Sequence, residues 1–242
     1  YCNDFHTGVI MITYDDKQAK VYTDFIVEKQ KFGLLQGWVQ KEDPVEHCEY
    51  LLKMFWDKED DPLRVLDIGC GTGEMLYQAS EIWPRAETIG VNLFPSQLPS
   101  KDLDTFSSEL VVGNFETDAL KLEGTAPGFD LIMFNYTLGH FDNLSAVFST
   151  AANMLTPYGR IGVYDIKRRS VLCKEVLGYH LWSKCEIVYA LDDAGLIGDE
   201  LHCERMLSKG MLPNHFSSDE DIKACNDFAD WTDPILLVAK EA

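Results

Sequence analysis

The chain has 242 residues, enough for one domain of ordinary size with a terminal cap. With 46% hydrophobic and 25% charged residues it resembles an average globular protein and can bury a full core. Its 40 acidic against 21 basic residues, net −19, argue against nucleic acid or an anionic membrane surface as the main partner, since both are bound through clustered Lys and Arg.

The remaining acid reads as a solvated surface. Seven cysteines (Cys2, Cys48, Cys70, Cys173, Cys185, Cys203 and Cys225) are scattered, with no C-x-x-C pair. A disulfide framework or zinc site is therefore not expected, and a reducing, cytoplasmic setting fits better. No apolar run approaches the roughly 18 residues of a membrane span. The opening "YCNDFHTGVIMITYDD" lacks the basic n-region of a signal peptide and an initiator Met, so the natural start is expected to lie elsewhere.

Within the first 60 residues, Phe25, Phe32, Leu34, Leu35 and Trp38 suggest packed amphipathic structure, expected as a mainly helical cap over the sheet's carboxyl edge. From residue 63, short apolar runs alternate with amphipathic stretches. The runs are "LRVLDI" (Leu63–Ile68), "ETIGVN" (Glu87–Asn92), "ELVVGN" (Glu109–Asn114), "FDLIMFN" (Phe129–Asn135) and "GRIGVYDI" (Gly159–Ile166). Each is nearly continuous in aliphatic residues, as expected for strands covered on both faces. "NLSAVFSTAANML" (Asn143–Leu155) carries Leu144, Val147, Phe148, Ala151 and Leu155 on one helical stripe and meets a Pro-Gly stop in "TPYG". This βαβα rhythm implies a parallel sheet with helices on both faces. "DELHCERM" (Asp199–Met206) and "DPILLVAKEA" (Asp233–Ala242) read as two more strands, separated by a polar insert with a helix start at "SSDEDIKAC".

Asp67-Ile68-Gly69-Cys70-Gly71-Thr72-Gly73 joins the first strand to its helix. A dinucleotide fingerprint would read G-x-G-x-x-G; this one reads G-x-G-x-G. The glycines let backbone approach a ligand closely. A carboxylate just before the turn suits a ligand with a cationic amino group better than a pyrophosphate.

These residues resemble the class I S-adenosylmethionine-dependent methyltransferases, and further motifs agree in order. They are "GVNLFPSQ" (Gly90–Gln97), "VVGNFE" (Val111–Glu116), "FDLIMFNYTLGH" (Phe129–His140) and "LTPYGRIGVYDI" (Leu155–Ile166). The resemblance covers residues 60 to 170 strongly. It implies a Rossmann-like α/β fold with a seven-stranded, mostly parallel sheet, its last strand inserted antiparallel. The expected division is a cap over residues 1–60 and a cofactor domain over 61–242. It also implies that Asp67, Gly69, Cys70, Gly71, Asn92, Leu93, Gln97, Asn114, Phe115 and Asn135 contact S-adenosyl-L-methionine. Two positions depart from the family: Asn92 stands where an acid often grips the ribose, and Asn114 replaces the acid beside adenine.

The Pro-x-Gln tail of "GVNLFPSQ" and the cap stretch "GLLQGWVQKEDPVEHCEYLL" (Gly33–Leu52) resemble the branch of cyclopropane fatty acid synthases, tocopherol methyltransferases and terpenoid C-methyltransferases, including those acting on isoprenyl diphosphates. Gln36, Gly37 and Trp38 match that branch's cap pattern near the cofactor, with Gln36 where histidine is common. The branch implies C-methylation of an isoprenoid or prenyl diphosphate. Attack by an alkene carbon leaves a carbocation, which calls for aromatic faces and a base. The candidate aromatics are Tyr14, Tyr22, Phe25 and Trp38 from the cap, and Tyr136, Tyr164, Tyr179 and Trp182 from the sheet edge and beyond. Tyr22 and Tyr136 are assigned to the reacting centre.

His140 and Glu116 are the candidate bases, each with an ordinary structural alternative: capping a helix, or facing solvent. Lys167, Arg168 and Arg169 form the one dense basic cluster. Arg168 and Arg169 can clamp a diphosphate or carboxylate, or simply balance local acid. Mg2+ enters only with a diphosphate substrate, and no dedicated metal motif is present. The partner is expected to be a small molecule, with a homo-oligomer left open. Two other readings remain: O- or N-methylation with His140 as base, and a catalytically silent methyltransferase-like binding domain.

Overall fold

A computed structural model describes residues 44–71, 73–93, 108–118, 128–168, 175–176, 179–201 and 232–241. The first described element is helix α1, Pro44–Phe55. Cys48, Leu51, Leu52 and Phe55 recur at i, i+3, i+4 and i+7, so one face of the helix is apolar, and all four are buried. This part of the segment expected as a cap covers a face of the sheet; the rest, with Tyr14, Tyr22, Phe25, Gln36, Gly37 and Trp38, lies outside the described residues.

Five strands follow in parallel: β1 (Arg64–Ile68), β2 (Glu87–Asn92), β3 (Glu109–Val112), β4 (Phe129–Asn135) and β5 (Leu155–Arg168). Between them lie α2 (Glu74–Ile82), the short α3 (Phe115–Asp118) and α4 (Leu144–Asn153). Helix α5 (Lys184–Asp193), β8 (Leu196–Leu201) and β9 (Thr232–Glu241) complete the fold, with a small hairpin of β6 (Glu175–Val176) and β7 (Tyr179–His180) between β5 and α5. The sheet order is β3-β2-β1-β4-β5-β9-β8, with β9 antiparallel to both neighbours. This is the expected seven-stranded arrangement with its last strand inserted antiparallel.

Strand periodicity sorts the core into two layers. Val65, Leu131, Met133, Tyr164 and Leu236 share one layer with α1 and with Met75 and Ala79 of α2. Leu66, Ile68, Ile132, Phe134, Val163 and Leu237 face the other way, against α4 and α5. Gly162 makes the first layer fit: a Cβ there would lie within 2.7 Å of Phe55 ring atoms.

Some boundaries differ from the sequence-based expectations. Helix α4 stops at Asn153, and "TPYG" is already extended: β5 begins at Leu155, with a register shift opposite Phe129 and Leu131. The proline and glycine end the helix by standing in a strand that starts two residues after it. Strand β8 starts three residues before the expected Asp199. The helix start at "SSDEDIKAC" is outside the described residues.

The strand order reverses between β1 and β4, which places a crevice at the carboxyl ends of those two strands, where open α/β sheets bind ligands.

Candidate functional site

The crevice is built from four strand ends. At β1, Asp67 is buried, and its turn runs through three left-handed glycines: Gly69 (φ 76°), Gly71 (φ 52°) and Gly73 (φ 85°). The Gly69 and Cys70 amides both donate to the Val91 carbonyl, at 2.7 and 3.1 Å, which bends the turn over the end of β2. A Cβ on Gly71 would meet nothing within 4 Å, so the backbone there borders open space. Cys70 is buried, and burial pushes its thiol well above the usual range, so it is inert packing.

At β2, Asn92 is buried and Leu93 exposed, and the Asn92 carbonyl accepts from the Gly113 amide at 3.0 Å. After β3, Asn114 Oδ1 accepts from the Glu116 amide at 3.0 Å, and Phe115 packs edge-on against Phe134 at 6.2 Å. At β4, Asn135 is followed by Tyr136, the one non-glycine with positive φ (51°) among the described residues. The Tyr136 amide donates to the Tyr164 carbonyl at 2.9 Å, and the two rings meet edge-on at 5.4 Å.

The turn after Tyr136 is held from two sides. Asp165 Oδ2 accepts from the Thr137 and Leu138 amides at 3.0 and 2.8 Å, and its Oδ1 accepts from the Ile166 amide. The Trp182 indole donates to the Leu138 carbonyl at 2.9 Å. Neither role is foreseeable from the sequence; the only signal for Asp165 is an acid at the end of an apolar strand.

The expected residues thus divide. Asp67, Gly69, Cys70, Gly71, Asn92 and Asn135 come together at adjacent strand ends, with Asn114 and Phe115 beside them. Tyr136 and Tyr164 form one aromatic pair, with Tyr164 buried in the core layer of α1. His140 closes a short 3-10 turn (Leu138–His140), and burial lowers its pKa to about 4. Glu116 accepts from the Asn143 and Asp142 amides at 2.9 and 3.4 Å, ahead of α4; burial, the larger effect, raises its pKa. Arg168 reaches Glu186 of α5, at 2.8 Å, leaving Nε and Nη1 buried without partners. Lys167 pairs with Glu200 at 2.9 Å. Gln97 and Arg169 lie outside the described residues, as does the Tyr179 side chain.

Two orphaned acceptors test the cofactor. Asp67 Oδ1 and Asn135 Oδ1 are buried with no hydrogen-bond partner. Buried acceptors are normally satisfied, so both call for donors from a ligand. Burial first, and nearby Glu74 second, raise the Asp67 pKa to about 7, which a cationic donor would reverse. S-adenosylmethionine fits, because it carries an ammonium and hydroxyl donors, and Gly71 leaves room for it. Among the described residues no group of three or more His, Cys, Asp or Glu side chains can hold a metal, and no helix is long and apolar enough to cross a membrane.

This glycine turn, strand order and orphaned acid define the class I S-adenosylmethionine-dependent methyltransferase fold. A family model described as a methyltransferase domain matches residues 39–196, and the chain belongs to that family. It is 28% identical over 107 residues to a demethylmenaquinone methyltransferase of Thermus thermophilus, covering 44% of this chain and 49% of that one. The corresponding enzyme of Deinococcus radiodurans is 28% identical over 100 residues, 41% and 42% of the two chains. The match thus spans about half the length of these curated relatives or less. Among solved structures, a geranyl diphosphate C-methyltransferase from Streptomyces coelicolor superposes with TM-score 0.63 at 15% identity, over 81% of this chain and 77% of that one. The [4+2]-cyclase SpnF gives 0.60 at 13% identity, over 84% and 86%. At such identities the likeness speaks for the fold.

Proposed function

We propose that this methyltransferase transfers a methyl group to carbon on a small isoprenoid acceptor. The observation that carries the reading is the β4 turn. It sets the half-buried ring of Tyr136 at the carboxyl end of β4, backed edge-on by the buried Tyr164 of β5. The bound cofactor supplies an electrophilic sulfonium methyl for in-line displacement by the acceptor. Asp67 and Asn135 offer acceptors to the cofactor's donors, and the glycine turn leaves space for it. Alignment is the main requirement, and it needs few catalytic side chains. The Tyr136 face suits positive charge developing on an alkene carbon.

The isoprenoid class draws support from the named substrates of relatives and neighbours, demethylmenaquinone for one and geranyl diphosphate for another. Arg168 bears on the choice between them. One guanidinium arm is taken by Glu186, while Nε and Nη1 remain for an acidic head group. Mg2+ belongs to the proposal only if that head group is a diphosphate.

The test is incubation with labelled cofactor and three acceptor sets: prenyl diphosphates, prenylated hydroquinones, and simple phenols and amines. Carbon-methylated product from either of the first two sets is expected. Transfer only to phenols or amines would overturn the carbon-directed part. It would favour His140, whose neutral imidazole is free of a competing proton at neutral pH, as base for O- or N-methylation. Absence of saturable cofactor binding by calorimetry would favour a silent binding domain.

A further inference from the structure

Thr137 touches both halves of the site. A Cβ on Gly69 would stand 2.8 Å from Thr137 Cβ, so the cofactor-side turn lies directly against the acceptor-side turn. Thr137 is buried, and its amide is held at 3.0 Å by Asp165, a carboxylate with no exposed surface. The next amide, Leu138, is held by the same oxygen at 2.8 Å, while the Leu138 carbonyl is taken by the Trp182 indole. The segment just after Tyr136 therefore has little freedom to shift relative to β5. On the other side, Gly69 and Cys70 hang from the Val91 carbonyl. A chain of contacts runs from Asp165 through Thr137 to Gly69, and joins the strand end that carries Tyr136 to the turn that cradles the cofactor.

We infer that Asp165 is a positioning residue that fixes the acceptor-side turn against the cofactor-side glycine turn. The inference rests on the methyl-transfer reading above, in which in-line geometry is the main demand. A small misplacement of either partner then costs much of the rate. A buried carboxylate serves well because it accepts several backbone N–H groups at once, each bond strengthened by its charge.

The experiment reads binding and local motion, not turnover alone. Asp165→Ala, Asp165→Asn and Thr137→Ala are compared with Ile187→Val, a core change in α5 that lowers global stability only. S-adenosylhomocysteine affinity is measured by calorimetry, and amide hydrogen exchange at Thr137, Leu138, Gly69 and Cys70. The expected result is an affinity loss of about tenfold or more in Asp165→Ala, with Asp165→Asn between it and wild type because one acceptor oxygen remains. Exchange at Gly69 and Cys70 should quicken along with Thr137 and Leu138, beyond the change in Ile187→Val. Affinity within twofold of wild type, with faster exchange confined to Thr137 and Leu138, would overturn the inference. Should Asp165→Ala fail to fold, Thr137→Ala decides by the same readings at Gly69 and Cys70. If wild type binds no S-adenosylhomocysteine, the cofactor reading fails, while the exchange data still decide the mechanical link.

Discussion

Arg168 and Glu186 form an ion pair, Nη2 to Oε2 at 2.8 Å, that ties the last residue of β5 to the first turn of α5. The same carboxylate oxygen accepts from the Ser183 amide and hydroxyl, both at 2.7 Å, closing a capping box. A basic cluster that the sequence offers as a substrate clamp is thereby partly spent on the fold. Arg168→Met should lower stability by about 1–2 kcal/mol, as expected for losing one charge-assisted bond at a partly exposed pair. Urea denaturation checks this. The same variant should raise KM for a prenyl diphosphate while leaving KM for an uncharged prenylated acceptor nearly unchanged.

Gly69 and Gly71 separate folding from binding. Both have positive φ, which costs about 1–2 kcal/mol with any ordinary side chain. At Gly69 a Cβ also collides with Thr137, so Gly69→Ala should destabilise the protein well beyond that figure. At Gly71 the Cβ enters open space, so Gly71→Ala should fold, with only the backbone cost. Its side chain would then stand where the ligand approaches, and cofactor affinity should drop at least tenfold. Thermal melts and calorimetry on both variants test this; equal binding in wild type and Gly71→Ala would remove the turn from the cofactor site.

Cofactor binding is expected to depend on pH through Asp67. Its ordinary pKa of 3.8 is raised by burial, and then by Glu74, to about 7 in the free protein. A group raised in the folded state contributes stability that is complete below about pH 4 and lost as pH rises to about 7. A cationic ligand group lowers that pKa, so binding releases a proton. Affinity for S-adenosylmethionine should therefore rise between about pH 5.5 and 7.5, by up to about tenfold per unit, and level off above. Asp67→Asn should flatten the profile, and calorimetry in buffers of different ionisation enthalpy should show the proton release in wild type.

His140 gives the opposite slope. Burial lowers its pKa from 6.5 to about 4. Its contribution to stability is present above about pH 6.5 and lost as pH falls toward 4, where the buried ring must take a proton. His140→Gln should remove this acid-side loss, seen as better retained stability at pH 4.5 than wild type shows. If methyl transfer is to carbon without His140 as base, turnover in His140→Gln should stay within about threefold of wild type at pH 7.5. A loss of a hundredfold or more would point instead to general-base catalysis.

How much was legible in advance follows from the range of the forces involved. The five parallel strands and helix α4 announce themselves because apolar periodicity is local and each strand is covered on both faces. The exceptions are boundaries such as "TPYG", which follows the end of the helix as expected but already belongs to β5. The glycine turn was legible because it imposes left-handed backbone within a few residues of Asp67. Acceptor-side residues were less so. Glu116, Arg168 and Trp182 are plausible site residues by type, and each has found a partner far along the chain, in Asn143, Glu186 and Leu138.

The amino-acid order thus settled the kind of fold and the glycine turn after β1, since both depend on patterns that repeat every two or four residues or sit within one turn. The three-dimensional packing settled which polar side chains remain for chemistry. Asp165 lies 27 and 28 residues from the amides it holds, and Trp182 is 44 residues from Leu138. Sheet register brings Asp165 of β5 within 3 Å of its amides, the connection from β7 to α5 does so for Trp182, and each takes the backbone partner that the packing presents.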